Sequence, residues 1–261
     1  MTECRSKSGA ATMFVENNKS MLGKLKNRLS FLGKYPVHPQ WFCQNSRKLL
    51  EKTIKHQITA GTVIDLGCAG KWPAGVLPAN CKYYGLDYLQ TAKNLYQTTP
   101  DIYGDAQCLP LASESADYIL LLDVLEHLQS PELTIREIKR VLKTNGSLIL
   151  NVPFIYPIHD APLDFHRWTP HGLDNLAQKN DFSITTELSA GSQLQTAAVI
   201  SNIAMTKSVL DWIEKKHPAA LLILILPFYI LFNNLLGWLL GMANNKKQII
   251  SLSTIQVWKK G

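Results

Sequence analysis

Residues 62–70, Thr-Val-Ile-Asp-Leu-Gly-Cys-Ala-Gly, narrow the possible folds more than any other part of the chain. A β-branched apolar run ends in Asp65 and breaks at once into a glycine-bearing turn. Such a run reads as a buried strand of a parallel sheet. It delivers a carboxylate and a tight turn to the carboxyl edge, where open α/β sheets bind ligands. A dinucleotide-binding turn needs Gly-x-Gly-x-x-Gly opening a helix, because the pyrophosphate rests on the helix amino terminus. Here the carboxylate comes two residues before the first glycine, and Lys71-Trp72-Pro73 stands in place of the third glycine and the helix start. Asp65 repels a pyrophosphate and suits a ligand with cationic groups.

The pattern recurs. Lys82-Tyr-Tyr-Gly-Leu-Asp87 ends in an acid where a Rossmann-like fold binds a ribose diol. Ile102-Tyr-Gly-Asp-Ala106 puts Asp105 on a turn, and Asp117-Tyr-Ile-Leu-Leu-Leu-Asp123 is an apolar strand ending in another carboxylate. Ser147-Leu-Ile-Leu-Asn-Val152 follows a helix-stop signal at Thr144-Asn145-Gly146. One aspartate at a strand end is usually a turn former. An ordered set of them, with helical patterns between most of the strands, points to one ligand-binding edge.

Through these landmarks the chain resembles the class I S-adenosylmethionine-dependent methyltransferases of the methyltransferase-11 type, over about residues 62–181. The residues that carry the resemblance are Val63-Ile-Asp-Leu-Gly-Cys-Ala-Gly70, Tyr84-Gly-Leu-Asp87, Gly104-Asp-Ala106 with Leu109-Pro110, Asp123-Val-Leu-Glu-His-Leu128, and Arg140-Val-Leu-Lys143 before Asn145-Gly146. Lys-x-Pro after the glycine turn and His-Asp…Asp-Phe-His-Arg-Trp-Thr after the fifth strand resemble a branch acting in surface-saccharide pathways. The resemblance implies S-adenosylmethionine as cofactor, whose ammonium and sulfonium groups match the acidic edge. It implies that Asp65 and the backbone of Gly67, Cys68, Ala69 and Gly70 surround the methionine end. Asp87 would accept both ribose hydroxyls. Asp105 would accept from the adenine amino group, and the Ala106 amide would donate to the ring. Asp123 either closes the methionyl side or caps the helix containing Glu126 and His127. The chain departs from the family pattern at Ala69, where glycine is usual; a positive φ there costs about 1 kcal/mol, unless Gly70 takes up the strain. Pro73 and Pro78 interrupt the next helix, so it is expected to be short or absent.

The loop after the fifth strand, Pro153-Phe-Ile-Tyr-Pro-Ile-His-Asp-Ala-Pro-Leu-Asp-Phe-His-Arg-Trp-Thr169, lies over the methyl-donating end in this arrangement. Methyl transfer is an in-line displacement, accelerated mostly by aligning donor and nucleophile. A hydroxyl acceptor must also lose a proton, so a base is needed within hydrogen-bond reach. His159 and His166 are the candidates, with Asp160 or Asp164 to orient them, and Arg167 is a candidate for an anionic substrate group. A purely structural alternative is that these residues staple the loop to itself. Thr169-Pro170 caps the next helix. No zinc spacing is evident, so no metal ligands are assigned.

Residues 221–243 are apolar except for Asn233-Asn234, with Lys215-Lys216 and Lys246-Lys247 as flanks. The sixth and seventh strands are expected at residues 182–188 and 250–258, on either side of this segment. If both join one sheet, the chain must leave and return on the same side of any bilayer. Split at the asparagines, the halves reach about 18 and 14 Å as helix, too short for a hydrocarbon core of about 30 Å. A monotopic hairpin fits better than a span; a helix pair buried on the domain or on a second subunit is the alternative. A basic amphipathic stretch, residues 19–34, fits a helix packed on the domain or a contact with anionic lipid. Residues 44–58 read as a lead-in helix. Residues 131–143 read as a helix capped by Ser130, with Leu133, Ile138, Val141 and Leu142 toward the sheet.

The net charge of +7 and five cysteines without metal spacing fit a reducing cytosol and an anionic surface. No secretory signal is expected. The basic residues lack the aromatic interleaving of a nucleic-acid groove, so nucleic acid is not expected as a partner. The expected fold is α/β: a Rossmann-like seven-stranded class I methyltransferase sheet with helices on both faces and an apolar helical hairpin before the last strand. Its expected divisions are an amino-terminal segment 1–60, a core 61–206, a membrane-associated insertion 207–247 and a last strand 248–261. The function this implies is methylation of a saccharide or lipid-linked acceptor at the cytoplasmic face of a membrane. A quinone or isoprenoid lipid is the nearest alternative acceptor, and a non-catalytic, membrane-tethered cofactor binder is the alternative outside enzymes.

Overall fold

The computed structural model describes residues 30–242 and 248–261. Most of the basic stretch at 19–34 lies outside these residues, as do Lys246 and Lys247; Ser30–Lys34 form a 3-10 turn. Helix α1 (Cys43–Gln57) leads into strand β1 (Gly61–Leu66). The chain continues through β2 (Cys81–Asp87), the short β3 (Ile102–Tyr103), β4 (Ala116–Leu122), α2 (Pro131–Val141), β5 (Leu142–Pro153), α3 (Pro170–Lys179), β6 (Phe182–Ala190), α4 (Gln193–Glu214), α5 (Leu226–Gly241) and β7 (Ser253–Lys260). The seven strands form one sheet in the order β3-β2-β1-β4-β5-β7-β6. The first five are parallel, and β7 runs antiparallel between β5 and β6. That is the expected class I methyltransferase topology.

The period of two along each strand sends alternate residues to opposite faces. Ile64, Leu66, Ile119, Leu121, Leu148 and Leu150 pack with Ile135 and Ile138 of α2 and Leu173 of α3. Val63, Leu120, Ile149, Ile255 and Val257 pack on the other face with Leu50 and Ile54 of α1. Strand order reverses between β1 and β4, the point outside whose carboxyl ends open α/β sheets bind their ligands.

Local details correct several expectations. In α2, Leu133 is exposed, and Thr134, Ile135, Ile138 and Val141 are buried, because the inward stripe lies one residue further along. Leu142 is buried as the first residue of β5, not as part of the helix. Ser130 occupies the N-cap position without a side-chain cap hydrogen bond, although Pro131 opens the helix as expected. Thr169 does cap α3, accepting from the Gly172 amide. The apolar segment does not break at Asn233-Asn234. It bends by 56° between the 3-10 turn Pro218–Leu224 and α5, just ahead of Pro227, and α5 runs through both asparagines. Their amides find interior partners, which removes any need for a break. Asn234 accepts from Asn202 at 2.9 Å and donates to the carbonyls of Pro36 and His38, and Asn233 donates to Asn202. The boundary expected at 206/207 falls inside α4, which packs along α5. Among the described residues no single helix is long and apolar enough to cross a membrane; the bent pair passes that test only jointly.

Candidate active site at the carboxyl edge of the sheet

The glycine turn after β1 is held by the amides of Gly67 and Cys68, which both donate to the Leu86 carbonyl. Gly67 has φ +72°, and a Cβ there would lie 2.4 Å from Cγ2 of Val124, so the β1 and β4 turns approach as closely as glycine permits. Ala69 takes a φ of +39°. The strain expected at this position stays on Ala69, joined by Lys71 at +52°, and is not passed to Gly70. A Cβ on Gly70 would meet nothing within 4 Å. The helix that usually follows is reduced to the 3-10 turn Trp72–Val76.

The four aspartates line one edge. Asp65 lies on β1, 2 % exposed, and accepts from the Tyr83 hydroxyl at 2.6 Å. Burial, relieved in part by Tyr83 and reinforced by Asp87, pushes its carboxyl up to about 7. Asp87 ends β2 and accepts from the Ala69 amide at 3.0 Å, the Tyr88 amide at 2.8 Å and the Thr91 hydroxyl at 2.7 Å. These bonds fix the carboxylate and leave about one of its four lone-pair directions for a ligand. Asp105 sits two residues past β3 and accepts from the Gln107 amide at 2.8 Å, with Ala106 half-buried beside it. Asp123 follows β4 in a left-handed conformation, φ +56°, and accepts from the Asn151 amide at 2.6 Å. Desolvation, then the neighbouring Glu126, raise its pKa. Asp123 does not precede a helix proper: Leu125–His127 is a single 3-10 turn capped by Val124 without a side-chain bond. Cys68 beside them is buried, and burial, then Asp65, hold its thiol protonated, pushed up to about 12.

The loop after β5 is tied down by Arg167. Its Nε donates to the Tyr156 carbonyl, Nη1 to Asp164 and the His166 carbonyl, and Nη2 to Asp164 and the Pro157 carbonyl. All five guanidinium protons are thus engaged within the loop, which corrects the expected role of Arg167 as an anion holder. Against the penalty of burial, Arg167 and the His159 amide hold Asp164 down to about 2. His159 has its Nδ1 3.3 Å from Asp164 and its Nε2 3.6 Å from Glu126. Glu126, then Asp164, raise its pKa against burial. The pairing of His159 with Asp164 is therefore made. The pairing expected for His166 is not: that ring leans on Trp168, and its buried Nε2 has no hydrogen-bond partner among the described residues. Asp160 is exposed, with φ +48°.

Sequence reasoning missed four contributors. Tyr83 covers Asp65 from the next strand. Tyr96 ends a single π-helical turn, Thr91–Tyr96, and burial, then Asp160, Asp87, Asp123 and Glu126, push its phenol up. Glu126 is fully buried, and neither of its oxygens has a hydrogen-bond partner among the described residues. His127 donates through Nδ1 to the Leu163 carbonyl, 2.8 Å away. The π-turn and the Glu-His pair had no signal in spacing; a tyrosine one strand over from an acid was readable once the register was known.

Comparison with known proteins agrees with this geometry. Residues 64–150 match the family model of a methyltransferase domain. Over 126 residues the chain is 28% identical to a tRNA U34 carboxymethyltransferase of Desulfotalea psychrophila, covering 44% of this chain and 39% of that one. Over 139 residues it is 26% identical to a probable S-adenosylmethionine-dependent methyltransferase of Mycobacterium tuberculosis, 50% of each chain. The chain thus spans half or less of the length of these relatives. Among solved structures, that of the (4+2)-cyclase SpnF superposes with a TM-score of 0.50 at 16% identity, over 81% of this chain and 80% of that one, a likeness of fold alone. Residues 64–150, which match that methyltransferase-domain model, are the ones that carry Asp65, Asp87, Asp105 and Asp123.

Proposed function

We propose that this chain, built on its methyltransferase domain, transfers a methyl group from S-adenosylmethionine to a saccharide or lipid-linked acceptor at a membrane surface. The observation that carries the cofactor reading is the buried Asp65, which sits in a row of carboxylates with a tyrosine as its hydrogen-bond partner. A sulfonium and an ammonium supply the positive charge this edge lacks, and the open space around Gly70 admits the methionine end. Asp87 has a lone pair left for the ribose, and Asp105 borders the adenine side. The bond from sulfur to the methyl carbon breaks as the bond to the acceptor oxygen forms, and the acceptor proton leaves to water.

The acceptor class rests on the apolar hairpin. Leu221 and Phe228 are each 72% exposed, and Leu224, Ile225, Phe232 and Met242 continue that surface. Hydrocarbon of this extent on one helical pair favours contact with an acyl layer, at about 25 cal/mol per Å² removed from water. The hairpin is tied to the site. Asn234 holds the carbonyls of Pro36 and His38, and Gln40 of the same segment hydrogen-bonds Tyr156 in the loop after β5. Between α4 and α5 a cleft of about 230 Å³, lined by Ala197, Ala198, Leu236 and Leu240, offers room for a short stretch of lipid chain. The test is incubation of the purified protein and methyl-labelled S-adenosylmethionine with fractionated lipid, glycan and RNA extracts. Label in a lipid or lipid-linked glycan fraction is the expected result; label confined to RNA, or none with any fraction, overturns the acceptor assignment.

A further inference from the structure

Glu126, His127 and His159 form a cluster that the methyltransferase reading leaves unexplained. One ligand atom from each lies within 4.8 Å of the others, with Glu126 Oε1 at 3.8 Å from His127 Nε2 and 3.6 Å from His159 Nε2. These separations are too long for hydrogen bonds. They are within a few tenths of an ångström of the tetrahedral edge of about 3.4 Å expected for bonds of about 2.1 Å to a central cation. Glu126 is fully buried, and both its carboxylate oxygens lack a hydrogen-bond partner among the described residues. A buried carboxylate left unpartnered is costly, and a cation removes that cost.

The outer partners agree. His127 Nδ1 is 2.8 Å from the Leu163 carbonyl, which can only accept, so Nδ1 carries the proton and Nε2 presents its lone pair to Glu126. His159 Nδ1 faces the Pro157 carbonyl and Asp164, each at 3.3 Å, so its proton is held there too. Arg167 Nη2, 3.5 Å from the same nitrogen, gives its protons to Asp164 and Pro157. Two imidazoles thus turn their unprotonated Nε2 atoms toward one buried carboxylate, each steadied from behind by an oxygen, as ligating histidines are.

We propose that Glu126, His127 and His159 bind a divalent transition-metal cation, of the zinc or manganese class, at the acceptor side of the crevice. Two nitrogens and one carboxylate suit those ions and disfavour magnesium, which prefers oxygen ligands. Three protein ligands leave coordination positions open. The inference deepens the methyltransferase reading and rests on it for its role: an acceptor hydroxyl on the cation loses its proton to water, and the resulting oxygen takes the methyl group while the sulfonium becomes a neutral thioether. His159 then serves as a ligand and not as the base.

The test is titration of zinc and manganese into tag-free protein stripped with a chelator, read by calorimetry and by metal content after dialysis. One ion per chain is expected, with affinity at least about 100-fold weaker in His159→Ala and in Glu126→Gln, beyond the about 10- to 100-fold effects of outer partners. His159 lies on a loop, so its variant keeps the test decisive if Glu126→Gln does not fold. Absence of stoichiometric binding, or unchanged affinity in folded His159→Ala, overturns the proposal. Metal binding without methyl transfer to any extract would preserve the cation site and remove the catalytic role built on it.

Discussion

Asp65→Asn tests the electrostatic character of the crevice most directly. The folded carboxyl titrates at about 7, against 3.8 for the ordinary group, chiefly because it is buried. Between these two values the folded chain holds a proton that the unfolded chain has released. Stability therefore falls as pH rises through this window, from about pH 4 to about pH 7. A separation of about three units is worth about 4 kcal/mol at 1.36 kcal/mol each. Asparagine keeps an oxygen for the Tyr83 hydroxyl and cannot ionise. Urea melts of both proteins across pH 4.5 to 8.5 are expected to converge at the acid end and to separate by about 4 kcal/mol above pH 8, the variant being the more stable. That corresponds to roughly 10 °C in Tm for a domain of this size. Groups unaffected by the substitution contribute equally to both proteins and cancel in the difference. Parallel curves over the whole range would refute the reasoning, because they would mean that Asp65 ionises in water-like surroundings.

Four further outcomes follow from the same structure. Ala69→Gly relieves a left-handed φ of +39° and is expected to stabilise the protein by about 1 kcal/mol in thermal melts. Asn234→Leu strands the carbonyls of Pro36 and His38 and the amide of Asn202, and a loss of about 2–4 kcal/mol in urea unfolding is expected. Asp87→Ala removes the carboxylate assigned to the ribose, so calorimetry with S-adenosylhomocysteine should show binding weaker by about 10- to 100-fold, the worth of one charge-assisted hydrogen bond. Phe228→Glu with Phe232→Glu puts charge on the exposed helical surface; flotation with vesicles is expected to lose most of the bound fraction while cofactor affinity is unchanged.

What the sequence made legible was whatever rests on local periodicity. The β-branched runs around Val63 and Leu120, the acids that end them and the glycine turn at Gly67 specify strands and a sheet edge without reference to distant residues. The return of the chain in β7 was readable from the alternation around Ile255. Asn233 and Asn234 were misread because a polar pair in an apolar run looks like a break, and only the fold reveals Asn202 and the Pro36 and His38 carbonyls waiting for them. For Arg167 the stapling alternative is the one the hydrogen bonds favour: three of its five acceptor atoms are carbonyl oxygens, which no side-chain pattern displays. The cluster of Glu126, His127 and His159 was invisible because its members follow different strands, β4 and β5, and meet only when those strands pair.

The position of β7 has a consequence for synthesis. Among the described residues β6 pairs with no strand except β7, and β7 comes after the apolar hairpin in the chain. As the polypeptide leaves the ribosome, the oily helices therefore emerge while β6 still has an unpaired margin and the sheet is open on that flank. A surface that can shelter those helices at that moment, whether a chaperone or a lipid layer, would shield the nascent chain until the closing strand arrives, and the maturation of the protein becomes a matter of timing as well as of sequence.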